Sequence, residues 1–192
     1  MTSIVYLHGF RSSPASIKAT RLREAVEALA SPAKLHVPAL EHAPAQAIAH
    51  VVEWVERNAD VPLTFVGSSL GGFYATHLAE RFGARAVMIN PAVRPYDDLR
   101  PWVGPQTNLY TGETFIVTQA HMDELSDLKV TRITHPGRYF LLVESGDEVL
   151  DYREAVAFYG GAYQYVRGGG DHTFTEFAAQ IPAILRFAGA QA

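Results

Sequence analysis

The sequence predicts an α/β fold, a mostly or wholly parallel sheet of about six or seven strands with helices on both faces. Three observations lead there. Apolar runs of strand length alternate with segments of helical period from one end of the chain to the other. The 192 residues, 48% hydrophobic and 19% charged, suffice to bury one substantial core and are too few for two full domains. No internal repeat or linker divides them, so residues 1–192 are expected to form a single domain.

Ile4–Leu7 reads as a short buried strand, and Ser16–Ala30 follows as a helix with Ile17, Leu22, Val26 and Leu29 at helical spacing. Lys34–Val37 is a weak strand closed by Pro38, and Ala45–Arg57 a helix with Ile48, Val51, Val52 and Val55 on one side. Leu63–Val66 is the third strand, Leu70–Arg81 a helix ended by Gly83, and Ala86–Ile89 a strand stopped by Asn90-Pro91. The stretch 92–137 is irregular, with short helices expected near Tyr96–Arg100 and Ala120–Leu128, and reads as a small lid-like insertion at one end of the sheet. Regular structure resumes with strand Tyr139–Glu144, helix Tyr152–Phe158, strand Tyr163–Val166 and an amphipathic helix Phe174–Phe187.

Bulk properties narrow the function. A net charge of −4 without runs of like charge gives no reason to expect nucleic acid or an anionic membrane as partner. Zero cysteines exclude a disulfide scaffold, a thiolate metal site and a cysteine nucleophile. The segment Met1-Thr2-Ser3-Ile4-Val5-Tyr6-Leu7 has neither the basic region nor the cleavage site of a signal peptide, and no apolar run is long enough to span a bilayer, so the expectation is a cytoplasmic protein.

In parallel sheets, functional groups gather where the strands end. After the third strand stands Gly67-Ser68-Ser69-Leu70-Gly71, a G-x-S-x-G pattern. By itself this arises by chance in about one chain of ordinary composition in twenty. Here it directly follows a strand and directly opens a helix, the context in which a sharp turn lifts a serine hydroxyl above the sheet. Ser69 is therefore the candidate nucleophile, the plainer alternative being a capping serine in a glycine-rich turn. Ser68, at the variable position, is expected to point away.

After the first strand comes His8-Gly9-Phe10-Arg11-Ser12. An oxyanion hole needs two fixed donors; the backbone N–H groups of Leu70 and Phe10 are the candidates, with Gly9 allowing close approach. His8 is expected to brace the loop. After the last strand, Gly168-Gly169-Gly170-Asp171-His172 makes His172 the candidate base, because imidazole accepts and returns a proton near neutrality. The other seven histidines read as surface or packing residues. One strand earlier, Glu144-Ser145-Gly146-Asp147-Glu148-Val149-Leu150-Asp151 supplies four carboxylates. Asp147, just past the strand and a turn glycine, is preferred as the acid that orients the imidazole. Asp151, a natural helix N-cap, is the next choice and Glu148 the third, while Glu144 lies too early, inside the strand. The order Ser69, Asp147, His172 is that of α/β-hydrolases.

With these phrases in view, the sequence resembles the YqiA-type esterases, a bacterial family of small α/β-hydrolases. The resemblance runs nearly the whole chain and rests on Tyr6-Leu7-His8-Gly9-Phe10, Gly67-Ser68-Ser69-Leu70-Gly71-Gly72-Phe73-Tyr74-Ala75, Asn90-Pro91-Ala92, Gly146-Asp147-Glu148-Val149-Leu150-Asp151-Tyr152 and Gly169-Gly170-Asp171-His172. It implies hydrolysis of carboxylic esters or thioesters without cofactor or metal, with Ser69, Asp147 and His172 as nucleophile, acid and base. The chain departs from the family at Asp171, where asparagine is frequent. A carboxylate there favours the protonated imidazole beside it.

The expected activity is cleavage of small-molecule esters of short or medium acyl groups through an acyl-enzyme on Ser69. An acyl-CoA or other thioesterase with the same triad is the nearest alternative; a hydrolase-fold binding protein has no use for three aligned groups. Phe10, Tyr74, Trp102 and Tyr110, with Phe115, are candidates to line the substrate pocket, or else to pack the insertion onto the body.

Overall fold

The computed structural model describes residues 2–30, 33–60 and 62–190. In chain order its first elements are β1 (Thr2–Leu7), α1 (Ile17–Glu27), β2 (Ala33–His36), α2 (Pro44–Asn58), β3 (Leu63–Ser68), α3 (Leu70–Phe82) and β4 (Arg85–Ile89). There follow α4 (Pro95–Asp98), β5 (Gly104–Thr107), β6 (Thr114–Val117), α5 (Gln119–Asp127), β7 (Tyr139–Glu144), α6 (Tyr152–Phe158), β8 (Tyr163–Arg167) and α7 (Phe177–Ala188). Six strands make the main sheet in the order β2-β1-β3-β4-β7-β8, every neighbouring pair parallel, as the alternation of strand and helix patterns requires.

The period of two along the strands splits the core into two layers. Phe65, Met88 and Leu141 face one side, where they meet Val52 and Val55 of α2, Leu78 of α3 and Leu125 of α5. Ile4, Tyr6, Val66 and Leu142 face the other, against Leu22 and Val26 of α1 and Ile184 and Leu185 of α7. Helices thus cover both faces. Because β1, β3, β4 and β7 are central and buried on both faces, their sequences are continuous apolar runs; β2 lies at an edge and is half-buried at every position, which is why its signal is weak.

Two features depart from the sequence expectations. The irregular stretch contains an antiparallel hairpin of β5 and β6 besides its short helices. The last helix begins at Phe177 instead of Phe174: Phe174 is 1% exposed with φ of 56°, so burial of its ring in the loop takes precedence over helix geometry. Among the described residues, no helix is long and apolar enough to cross a membrane.

Candidate active site

β3 runs to Ser68, and α3 starts at Leu70, so Ser69 alone makes the turn. Its backbone sits at φ 56° and ψ −120°, a conformation that side-chain-bearing residues rarely adopt. Neighbouring bonds fix it there. The Ser69 N–H donates to Ile89 O (3.0 Å), and Ser69 O accepts from Gly72 N (2.9 Å) and Ala92 N (3.1 Å). The flanking glycines are obligatory, since a Cβ at Gly67 would stand 2.0 Å from Gly71 O and one at Gly71 2.0 Å from Leu7 O.

His172 arrives from the loop after β8. Its Nε2 lies 3.1 Å from Ser69 Oγ, and its Nδ1 lies 2.8 and 3.0 Å from the two Asp147 oxygens. With Nδ1–H donating to Asp147, Nε2 is the unprotonated nitrogen and accepts the hydrogen bond of the Ser69 hydroxyl. Asp147 is 2% exposed, and its Oδ1 also accepts from Val149 N and Leu150 N at 2.9 Å. The other acids are engaged elsewhere: Asp151 caps α6 through Arg153 N (3.0 Å), while Glu148 accepts from the backbone N–H of His172 (3.0 Å). Asp171 turns back onto the Thr173 N–H (2.8 Å) and hydroxyl, bonds that hold its carboxyl below the usual range.

Two residues that sequence reasoning passed over hold the His172 loop. Glu144, at the last position of β7, is fully buried and accepts from Asp171 N (2.9 Å), Thr175 N (3.3 Å) and Arg167 Nη1 (2.8 Å). Burial alone would raise its pKa, but these hydrogen bonds outweigh it and keep the group below the ordinary carboxylate value. Asn90, with φ of 39° and 2% exposure, accepts from Glu144 N (3.0 Å) and donates to Asp171 O (3.0 Å) and His172 O (3.2 Å). The available signal was a carboxylate closing an apolar strand and an asparagine closing another.

The loop after β1 packs over the serine. A Cβ at Gly9 would stand 3.2 Å from both Ser68 O and Ser69 Cβ. The N–H groups of Phe10 and Leu70 donate to no acceptor among the described residues. His8 braces the loop, Nδ1–H donating to Gly9 O (3.1 Å) and Nε2 accepting from Leu40 N (3.2 Å); burial lowers its pKa. The β5–β6 hairpin clamps the loop from outside through Asn108 Nδ2 to Ser12 O (2.8 Å), Leu109 N to Arg11 O (2.9 Å) and Arg11 Nε to Thr107 O (2.9 Å).

Ser69 and His172 open onto a cleft of about 450 Å³, bordered by Phe10 and Tyr110 among others. Tyr74 does not reach it: 2% exposed, it belongs to the core and touches only a 40 Å³ crevice behind Phe10, since its place in α3 turns its ring towards Phe73 and the sheet. Trp102 and Phe115 pack edge-on against Phe10 at 6.1 and 6.0 Å and shape the cleft through it. Ser68 borders the cleft, contrary to expectation, because β3 continues through it and strand alternation sets its hydroxyl beside that of Tyr6.

The same architecture recurs widely. Mouse alpha/beta hydrolase domain-containing protein 10 is similar at a TM-score of 0.75 and 18% identity, with 97% of this chain and 89% of that one covered. Est1E from Butyrivibrio proteoclasticus, solved with ferulic acid, is similar at 0.71 and 14% over 100% and 89% of the two chains. A monoacylglycerol lipase from Paleococcus ferrophilus is similar at 0.69 and 14% over 98% and 95%. At these identities the likeness establishes the fold, that of an α/β-hydrolase. A family model, described as uncharacterised protein family UPF0227, matches residues 3–189. With nearly its whole length accounted for, the chain belongs to UPF0227, the YqiA-type family.

Proposed function

We propose that the protein is a serine hydrolase that cleaves carboxylic esters of small or medium acyl groups through an acyl-enzyme on Ser69. The observation that carries this reading is the continuous chain from Asp147 through His172 to Ser69 Oγ, at 2.8 and 3.1 Å, held at the C-terminal ends of three parallel strands.

Ser69 Oγ attacks the ester carbonyl carbon while His172 Nε2 takes its proton. The carbonyl oxygen becomes an oxyanion facing the unengaged N–H groups of Leu70 and Phe10. The C–O bond to the alcohol breaks, His172 returns the proton to the leaving oxygen, and the acyl group stays on Ser69. A water then loses its proton to His172, attacks the acyl carbon and releases the carboxylic acid and the free serine. Asp147 keeps the imidazole in one tautomer and stabilises the imidazolium that forms at each step.

A fluorophosphonate probe should label Ser69 and no other serine, and Ser69→Ala should abolish both labelling and ester turnover without loss of fold. Undiminished esterase activity in Ser69→Ala would overturn the assignment. A panel of esters and acyl thioesters of graded chain length would then identify the acyl group.

A further inference from the structure

The cleft that Ser69 and His172 open onto is charged on one side only. Its wall is formed by the first turn of α1 with Ser16, Lys18 and Arg21, and by Arg11 from the loop after β1. Three cations line it and no carboxylate does, in a chain whose net charge is −4; Arg21 pairs with Glu24 at 3.5 Å and Arg11 is engaged by Thr107 O and the Trp102 ring, which leaves Lys18 as the cation without a partner among the described residues. The Lys18 ammonium makes no hydrogen bond and has no carboxylate within 4.0 Å among the described residues. Asp171 and Glu144 lie near enough to be felt; both Glu144 oxygens are taken by Arg167 and the backbone of the His172 loop, whereas Asp171 spends Oδ1 on Thr173 and keeps Oδ2 without a hydrogen-bond donor among the described residues. Burial pushes the pKa of Lys18 down, which is the response of a cation short of a counter-charge.

The helix adds to this. α1 has 11 residues, and the backbone N–H groups of Ile17, Lys18 and Ala19 in its first turn have no acceptor among the described residues, so its positive end is open at the cleft. Ser16, at the N-cap, is 6% exposed and makes no capping bond to the helix; its hydroxyl lies beside that of Tyr6, so the first N–H groups of α1 go unserved by it.

We propose that this cleft takes an ester carrying a carboxylate or phosphate group, seated against Lys18, Arg21 and the N-terminal turn of α1 while the scissile carbonyl sits at Ser69. The inference rests on the hydrolase reading and specifies its substrate class. It also gives the Lys18 ammonium a use that a neutral ester would not.

The test compares neutral and anionic esters of matched size: ethyl butyrate with the butyryl esters of glycolate and of 2-hydroxyethyl phosphate, and 4-nitrophenyl pentanoate with 4-nitrophenyl hydrogen glutarate. The pairs separate carboxylate from phosphate and the alcohol end from the acyl end. At least one anionic ester should exceed its neutral partner in kcat/KM by roughly 10- to 100-fold, the worth of one charge-assisted hydrogen bond. Lys18→Met should cut that ratio about tenfold, and raised salt should cut it too. Neutral esters turned over as well as every anionic one, or a preference that survives Lys18→Met, would overturn the inference and leave the hydrolase reading standing. Calorimetric titration of Ser69→Ala with the anionic esters tests the site without turnover: binding weakened by Lys18→Met in that background supports it, and no binding overturns it. Failure of the probe to label Ser69 would count against the hydrolase reading alone.

Discussion

The Glu144 carboxylate does at residue scale what no short motif announces. Fully buried, it gathers the Asp171 and Thr175 N–H groups and the Arg167 guanidinium around one end of β7, and so sets where His172 can stand. A Cβ on Gly170 would fall 2.0 Å from its Oε2, which is why glycine precedes the Asp171-His172 pair. Glu144→Gln should destabilise the protein by about 2–3 kcal/mol at pH 7, because the buried donors lose a charged acceptor. Its folded pKa lies below the unfolded value, so the stabilisation is complete above the unfolded pKa of about 4.3 and is lost as pH falls through the folded one. Urea unfolding of wild type and variant should therefore differ at pH 7 and converge in acid. Ser69 and His172 were legible from short phrases at the strand ends. Glu144 and Asn90 were not, since what they bond to lies 23 to 82 positions away along the chain.

Among the elements, the central strands and their crossover helices were legible because burial on one or both faces writes directly into the sequence as apolar runs and helical periods. The β5–β6 hairpin was hidden for the opposite reason. Burial alternates along both strands, but the sequence does not follow it: Gly104-Pro105-Gln106-Thr107 offers no apolar side chain except a proline, and apolar Ile116 occupies an outward position, 65% exposed. What the hairpin contributes lies at its tip. Asn108 donates to Ser12 O and accepts from Tyr110 N and Thr111 N, tying the tip to the loop that carries the Phe10 N–H. Asn108→Ala leaves those groups unpaired and should cost about 1–3 kcal/mol in thermal unfolding. On the proposed mechanism it should also lower kcat roughly tenfold, since a displaced Phe10 N–H would no longer meet the developing oxyanion; an unchanged kcat would show that the loop is held without the hairpin.

At the scale of the whole molecule, one sheet carries two cores, and the candidate site lies on the line where they meet. Ser69 stands at the end of a central strand with α3 on one face, while the cleft opens towards α1 and α7 on the other. His172 reaches Ser69 only because the loop after edge strand β8 is drawn inwards by Glu144 and Asn90 across two intervening strands. The order Ser69, Asp147, His172 could be read from the chain because each follows a different parallel strand. The charge asymmetry of the cleft could not, because Arg11, Lys18 and Arg21 are scattered among ordinary surface positions until α1 is set beside the serine.

The backbone of Ser69 has one more consequence. At φ 56° and ψ −120° the position suits glycine better than serine, and the surrounding hydrogen bonds hold it there regardless. Ser69→Gly should therefore be inactive and yet more resistant to heat than Ser69→Ala, by about 1 kcal/mol in calorimetry. On the proposed mechanism, the hydroxyl is what the strained backbone at this position serves. In a relative that had abandoned the chemistry, selection for thermal endurance alone would drift the position towards glycine, and such a chain could be recognised from that one substitution.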